Sequence, residues 1–294
     1  MAAGLAENDI DHYALHCAAL PLAFSQSGAI PERLGLQMLM ILVEMGYTPS
    51  ILTVVDLVLR SSGDSVTQEG GAFHDALVRF KRLAEAGNNP QIMTLHGLLL
   101  MRQGRSDISA LRSFDKAIEA GRFLRSIPDT RPRSGMKRSD TSTIRLPKWR
   151  HEGHCHVKRG ELLVKLGRAK EAMAAFKIAA FELDLGDGYF GMAKLLPPEA
   201  PERETYLLQA AQSVLPTFEA CNILALNMAN KAANRSLSQE DRIFHANQAY
   251  EWAQMELDPV KRRGVMAQVY EKVRDVTGQM SRKWVERWMA TRHA

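Results

Sequence analysis

The chain is predicted to be all-α, a stack of antiparallel helical hairpins closed by a C-terminal capping helix. Three observations predict it. Apolar residues recur at three and four along nearly the whole sequence, which is the period of an amphipathic helix. No run of four to eight β-branched residues alternates strictly, and aromatics are only 7% of 294 residues, so strands have no signal. Turn signals fall at intervals of about three to four helical turns, the usual length of a globular helix.

Those signals delimit the elements in order: Gly28-Ala29-Ile30-Pro31, Gly46-Tyr47-Thr48-Pro49, Ser61-Ser62-Gly63-Asp64, Gly87-Asn88-Asn89-Pro90, Gly104, Gly167, Gly186-Asp187-Gly188, Pro197-Pro198, Pro216 and Pro259. With 46% apolar and 24% charged residues the chain can bury a sizeable core, which excludes a disordered tail, a fibre and a disulfide mini-protein. Cys17, Cys155 and Cys221 are odd in number and far apart, so a reducing, intracellular compartment is expected. The most apolar stretch, Leu34 to Leu59, is interrupted by Gln37, Glu44, Gly46, Pro49 and Asp56, so it reads as core and no transmembrane segment is expected. Glu7, Asp9 and Asp11 precede the first arginine, Arg33, which is unlike a signal or transit peptide. The expected location is cytoplasmic, or mitochondrial if an import signal has been trimmed.

Charge is concentrated in one place. Between Ala120 and Arg150 lie Arg122, Arg125, Arg131, Arg133, Lys137, Arg138, Arg145, Lys148 and Arg150 against Asp129 and Asp140, a window of +7 in a chain of +5. Everything outside it is therefore slightly acidic. Pro128, Pro132, Pro147, Gly135 and the hydroxyls Ser139, Thr141, Ser142 and Thr143 break any helical period there, so residues 123–150 read as a basic, flexible insertion. Three readings stay open: a solvated loop, an arm for RNA or another polyanion, or a phosphorylation-regulated segment at Ser134 and Ser139. Trp149, between Lys148 and Arg150, is a candidate to stack on a base.

An internal repeat flanks this segment. Gly97, Leu100, Gly104, Ala110, Phe114 and Ala117 are matched by Gly160, Leu163, Gly167, Ala172, Phe176 and Ala179, with one residue fewer in the second turn. Small residues would let paired helices approach, the second glycines would end the first helix, and Ala-Phe-Ala would pack the second. On these residues the segments Asn89 to Arg122 and Gly153 to Gly186 resemble the tetratricopeptide family. The first lacks that family's tryptophan and neither has its terminal proline. Gly191-Met192-Ala193 with Tyr206 to Ala211, and Ala246 to Ala253, resemble the related Sel-one-like variant. The resemblance covers about residues 91–259 and implies an α-solenoid whose groove binds a protein partner.

The expected organisation is N-terminal hairpins over 1–88, a tetratricopeptide-like repeat over 89–122, the insertion over 123–150, further tetratricopeptide or Sel-one-like repeats over 151–260 and a capping helix over 261–294. In the closing segment Val265, Val269, Val273, Val276, Met280, Trp284 and Trp288 fall on or near one face. Residues Leu42 to Thr53 read first as a plain helix, Gly-x-x-Pro turn and helix, and also resemble the turn of a pentatricopeptide unit, an RNA-reading relative of the same hairpin.

Reactive chemistry finds little footing. His151-Glu152-Gly153-His154-Cys155-His156 puts His151, His154 and Cys155 on one helical face, but Cys155 stands where a metalloprotease helix needs its second histidine, and a fourth ligand is missing. No metal is expected there. Gly186-Asp187-Gly188 lacks the strand and Lys-Ser/Thr of a phosphate loop. Cys17 and Cys221 sit in apolar helical runs, where a thiol is a small buried hydrophobe. Glu161, Glu171, Glu182 and Asp184 are spread as on a helix surface.

The expected protein is thus a non-enzymatic scaffold or adaptor with no cofactor and no catalytic residues. Its partner-binding candidates are Arg131, Arg133, Lys137, Arg138, Arg145, Lys148, Trp149, Arg150, Lys158 and Arg159. Lys158 and Arg159 lie on a first helix, where the carboxylate-clamp members of the family carry cations, though the paired asparagines are not recognisable. The alternative is an RNA-associated factor of organelle, mitochondrial gene expression acting through the basic segment.

Overall fold

A computed structural model describes residues 11–25, 29–61, 73–125, 144–213 and 215–277, and among them it has thirteen helices and no strand. The chain divides into two compact units, Met1–Ile127 with Pro147–Leu162 and Pro128–Leu146 with Leu163–Ala294. In the first, α1 (His12–Ala23), α2 (Ala29–Glu44), α3 (Thr48–Arg60), α4 (His74–Ala86), α5 (Pro90–Arg102) and α6 (Asp107–Gly121) each pack on the helix beside them in sequence or one further on. The helix α7 (Glu152–Lys165) begins in this unit. In the second, α8 (Ala169–Lys177), α9 (Gly186–Leu195), α10 (Pro201–Gln212), α11 (Phe218–Ala233), α12 (Gln239–Gln254) and α13 (Pro259–Thr277) follow the same order. Such packing of consecutive helices is that of a helical, solenoid-like repeat.

The caps explain where helices start and stop. The Asp11 carboxylate accepts from the Tyr13 amide at 2.9 Å, and Asn89 accepts from the amides of Gln91 and Ile92, with Pro90 behind it in the first turn of α5. Gly104 and Gly167, the equivalent positions of the sequence repeat, take φ of 61° and 73°, a left-handed turn that a side chain resists. Each sits beside a six-residue closing bond, Arg105 N to Leu100 O at 3.0 Å and Arg168 N to Leu163 O at 2.8 Å, which satisfies an orphaned helix carbonyl.

Small residues set how close the helices come. A β-carbon on Gly97 would fall 2.6 Å from Phe114 Cε1, and one on Gly191 would fall 2.5 Å from Phe176 Cδ1, so each phenylalanine fills the space a glycine leaves. Ala110, Phe114 and Ala117 are fully buried, and Ala172, Phe176 and Ala179 nearly so. In the α11/α12 hairpin the seam is alanine, with Ala225, Ala229, Ala232, Ala246, Ala249 and Ala253 all buried, and α13 lays Met266, Val269 and Val273 onto it. Ile51, Val54, Val55 and Val58 make α3 central to the core of the first unit.

Two expectations are corrected. Cys17 is exposed, because the buried face of α1 is His16, Ala19 and Ala23 and position 17 turns away from it. Asp184 is buried rather than on a surface, at a φ of 56° just past the π-helical turn Ile178–Glu182 that ends α8. There Gly188 of α9 lies against Ala179 and Ala180, where a β-carbon would be 2.6 Å from the Ala180 nitrogen. The Gly186-Asp187-Gly188 run is thus a close-packing device. Gly186 admits the Leu215 carbonyl, and Asp187 accepts from the Thr217 hydroxyl at 2.8 Å.

Candidate functional site

The described end of the basic segment is built into the fold. In the second unit the Arg145 amide donates to the Glu182 carbonyl and its Nε to Glu182 Oε2, both at 2.9 Å. In the first unit Trp149 is 8% exposed. Its indole lies against Gly121, and its Nε1 donates to Thr94 Oγ1 at 3.1 Å. The ring that the sequence offers as a base-stacking surface is therefore a core peg. Its neighbour Lys148 donates its amide to Glu152 Oε2 at 2.6 Å, and that carboxylate reaches back to start α7.

Next to the peg stands a buried carboxylate. Asp56 of α3, with 7% of its side chain exposed, accepts from Arg60 Nη2 at 3.0 Å and from Arg150 Nη2 at 3.2 Å, both on Oδ2. His151 Nε2 faces its other oxygen, Oδ1, at 3.8 Å, beyond hydrogen-bond length, and has no hydrogen-bond partner although the ring is buried. A desolvated carboxylate is costly without cations, and Arg60 and Arg150 supply them from half-exposed positions. The His151 imidazole titrates below its ordinary value. Burial is the main cause, Arg150, His154 and Arg60 add to it, and Asp56 opposes it.

The ligand-type residues of the same stretch diverge. His154 is exposed, with its ring 6.1 Å from that of His151. Cys155 lies under the Phe114 carbonyl at 3.7 Å, where burial pushes its thiol up to about 12. Among the described residues no three histidine, cysteine or carboxylate groups converge on one point.

The remaining candidates fall in two groups. Lys158 is ion-paired with Glu161 at 2.9 Å and Arg159 with Asp115 at 2.7 Å, so both cations are already engaged within the first unit. Arg131, Arg133, Lys137 and Arg138 lie outside the described residues. Two histidine–serine pairs appear that the sequence reading missed, His16 Nδ1 with Ser50 Oγ at 2.8 Å and His96 Nδ1 with Ser113 Oγ at 2.9 Å. Ser113 already donates its proton to the Ser109 carbonyl, so it accepts from His96 and is not poised as a nucleophile.

The sequence reading also missed the role of Asp56. Its signal was a single acid inside the apolar run Ile51 to Leu59, which demands partners from elsewhere in the chain. No protein-family model matches the chain, and no curated protein sequence is significantly similar to it. No helix among the described residues is long and apolar enough to cross a membrane.

Proposed function

We propose that the protein is a non-enzymatic helical-repeat scaffold that binds a protein partner along its stacked hairpins, as the tetratricopeptide resemblance implies. The observation that carries this reading is that a phenylalanine fills the space at a glycine in both units, Phe114 on Gly97 of the helix before it and Phe176 on Gly191 of the helix after it. A fold extended by repetition offers a long surface without a catalytic pocket. Free Cys17, Cys155 and Cys221 fit a reducing, intracellular setting.

A photo-crosslinking residue placed at Val164 on α7, and separately at Lys194 on α9, tests the reading in cell extract. Both positions are exposed and lie on the first helix of a hairpin. One and the same polypeptide captured at both positions, with or without ribonuclease, supports it. Capture abolished by ribonuclease overturns it.

The second reading, an RNA-associated factor of mitochondrial gene expression, is favoured by the +7 window alone. Its capacity is smaller than the window suggests. Arg145 and Arg150 are committed to Glu182 and Asp56, and residues 126–143 carry Arg131, Arg133, Lys137 and Arg138 against Asp129 and Asp140, a net +2.

A further inference from the structure

We propose that His151 and Asp56 form an acid-released latch that holds the Trp149 peg in the first unit. The observation behind it is a conflict of charges inside a nearly closed site. One carboxylate, Asp56 of α3, already carries two guanidiniums on Oδ2, from Arg60 of the same helix and Arg150 of the approaching chain. His151 Nε2 is aimed at the free oxygen from 3.8 Å, buried and without a hydrogen bond.

The neighbouring carboxylate, buried Glu152 of α7, is engaged by the Lys148 amide at 2.6 Å. His154 of α7 is a further proton acceptor with its ring 6.1 Å away. Trp149, two positions before His151, meets the neutral Thr94 hydroxyl.

A proton on Nε2 therefore makes a third cation around a single carboxylate, in a place water barely reaches. Hydration of the imidazolium is the available relief, and it requires Pro147–His151 to leave α3 and α5. The buried ring also takes its proton below the ordinary histidine range, consistent with a docked state that disfavours it. Above that range the latch is closed, with Trp149 against Gly121. Below it the latch opens and exposes Trp149, Arg150 and His151 together. The segment that carries the basic window is thereby coupled to pH through one histidine.

Fluorine NMR of the full chain labelled with 5-fluorotryptophan tests this, with the Trp149 resonance assigned by its loss in Trp149→Phe. Between pH 7.5 and 5 that resonance should move reversibly to its position in urea, while far-ultraviolet circular dichroism holds steady. The midpoint should coincide with the titration of the His151 ring followed by carbon NMR in the same sample. His151→Gln should leave the resonance docked at pH 5, and His154→Gln should leave the transition in place. A Trp149 resonance that does not move by pH 5, or that moves at a midpoint other than that of His151, overturns the latch. That comparison needs only the parent chain, so it decides the matter even if His151→Gln does not fold.

Discussion

The indole of Trp149 occupies the space that a side chain at Gly121 would need: a β-carbon there would lie 2.3 Å from Cζ3. The contact joins the last residue of α6 to the chain entering α7. Gly121→Ala forces the ring out of a packed site, and overpacking of this kind costs about 1 to 3 kcal/mol. Trp149→Phe keeps most of the ring but leaves Thr94 without its donor, a loss of about 1 kcal/mol. Urea melts of both variants should show Gly121→Ala the worse of the two. Equal stability of Gly121→Ala and the parent would remove the peg.

This contact marks the border of what the sequence made legible. Gly104 and Gly167 as helix ends, and Phe114 and Phe176 as buried packing residues, follow from local period and spacing, and both pairs stand where the repeat put them. The anchoring of Trp149, Arg150 and Arg145 was not legible. It depends on Thr94, Asp56 and Glu182, which are 55, 94 and 37 positions away. Nothing local distinguishes a tryptophan flanked by cations that will be buried from one that will stack on a base. Cys17 failed for a related reason, since an apolar run contains the helical period without showing which phase of it faces the core.

Phe114 packs α6 on α5 and Phe176 packs α8 on α9, so their truncation should be severe. A buried Phe→Ala typically loses about 3 to 5 kcal/mol, and both side chains are buried to within 2%. Thermal melts should fall sharply for each. Gly97→Ala should also destabilise the chain, and combining it with Phe114→Leu should recover part of the loss, because the smaller side chain vacates the contact. Additive losses in that double variant would mean the two residues are not packed on each other.

Deletions test which part of the basic segment folding needs. Removing residues 126–143 spares the bonds and packing of Arg145, Trp149 and Arg150, and it should leave the melting temperature close to that of the parent. Removing Arg125 to Lys148 takes away the Arg145 bonds to Glu182 and the Lys148 bond to Glu152. That chain should melt lower. If the segment holds RNA, the 126–143 deletion should also flatten the salt dependence of retention, by about 0.7 log units for each single-strand phosphate that the shortened chain no longer neutralises. Unchanged retention and slope would dismiss this segment as the RNA site.

Two further histidines contribute a pH dependence of known sign. Burial lowers the value of His16, and burial with Lys116 and Lys81 lowers that of His96. A group depressed on folding binds its proton more tightly in the unfolded chain. Its stabilisation is complete above the ordinary histidine value of about 6.5 and is lost as pH falls through the lower folded value. Urea midpoints should thus decline from pH 7.5 towards pH 5. His96→Gln, which can still donate to Ser113, should make that decline shallower. A decline as steep in His96→Gln as in the parent would contradict the burial of that ring.

Thiol chemistry reads the same burial independently of any titration of stability. Cys155 is fully buried with its thiol pushed up to about 12, so at pH 7.5 its reactive thiolate is on the order of 10⁻⁴ to 10⁻⁵ of the population. Burial also raises Cys221, whereas Cys17 stands exposed on α1. N-ethylmaleimide should therefore modify one thiol per folded chain quickly and all three in urea, with the fast site absent in Cys17→Ser. Acidification adds a link to the latch. Cys155 lies on α7 beyond the moving Pro147–His151, under the Phe114 carbonyl of α6, so opening the latch leaves that cover in place. Its labelling should remain slow at pH 5 once the intrinsic pH dependence of the thiol is removed. Fast labelling of Cys155 in the folded chain would mean that α7 itself leaves α6, which would make the moving part larger than Pro147–His151.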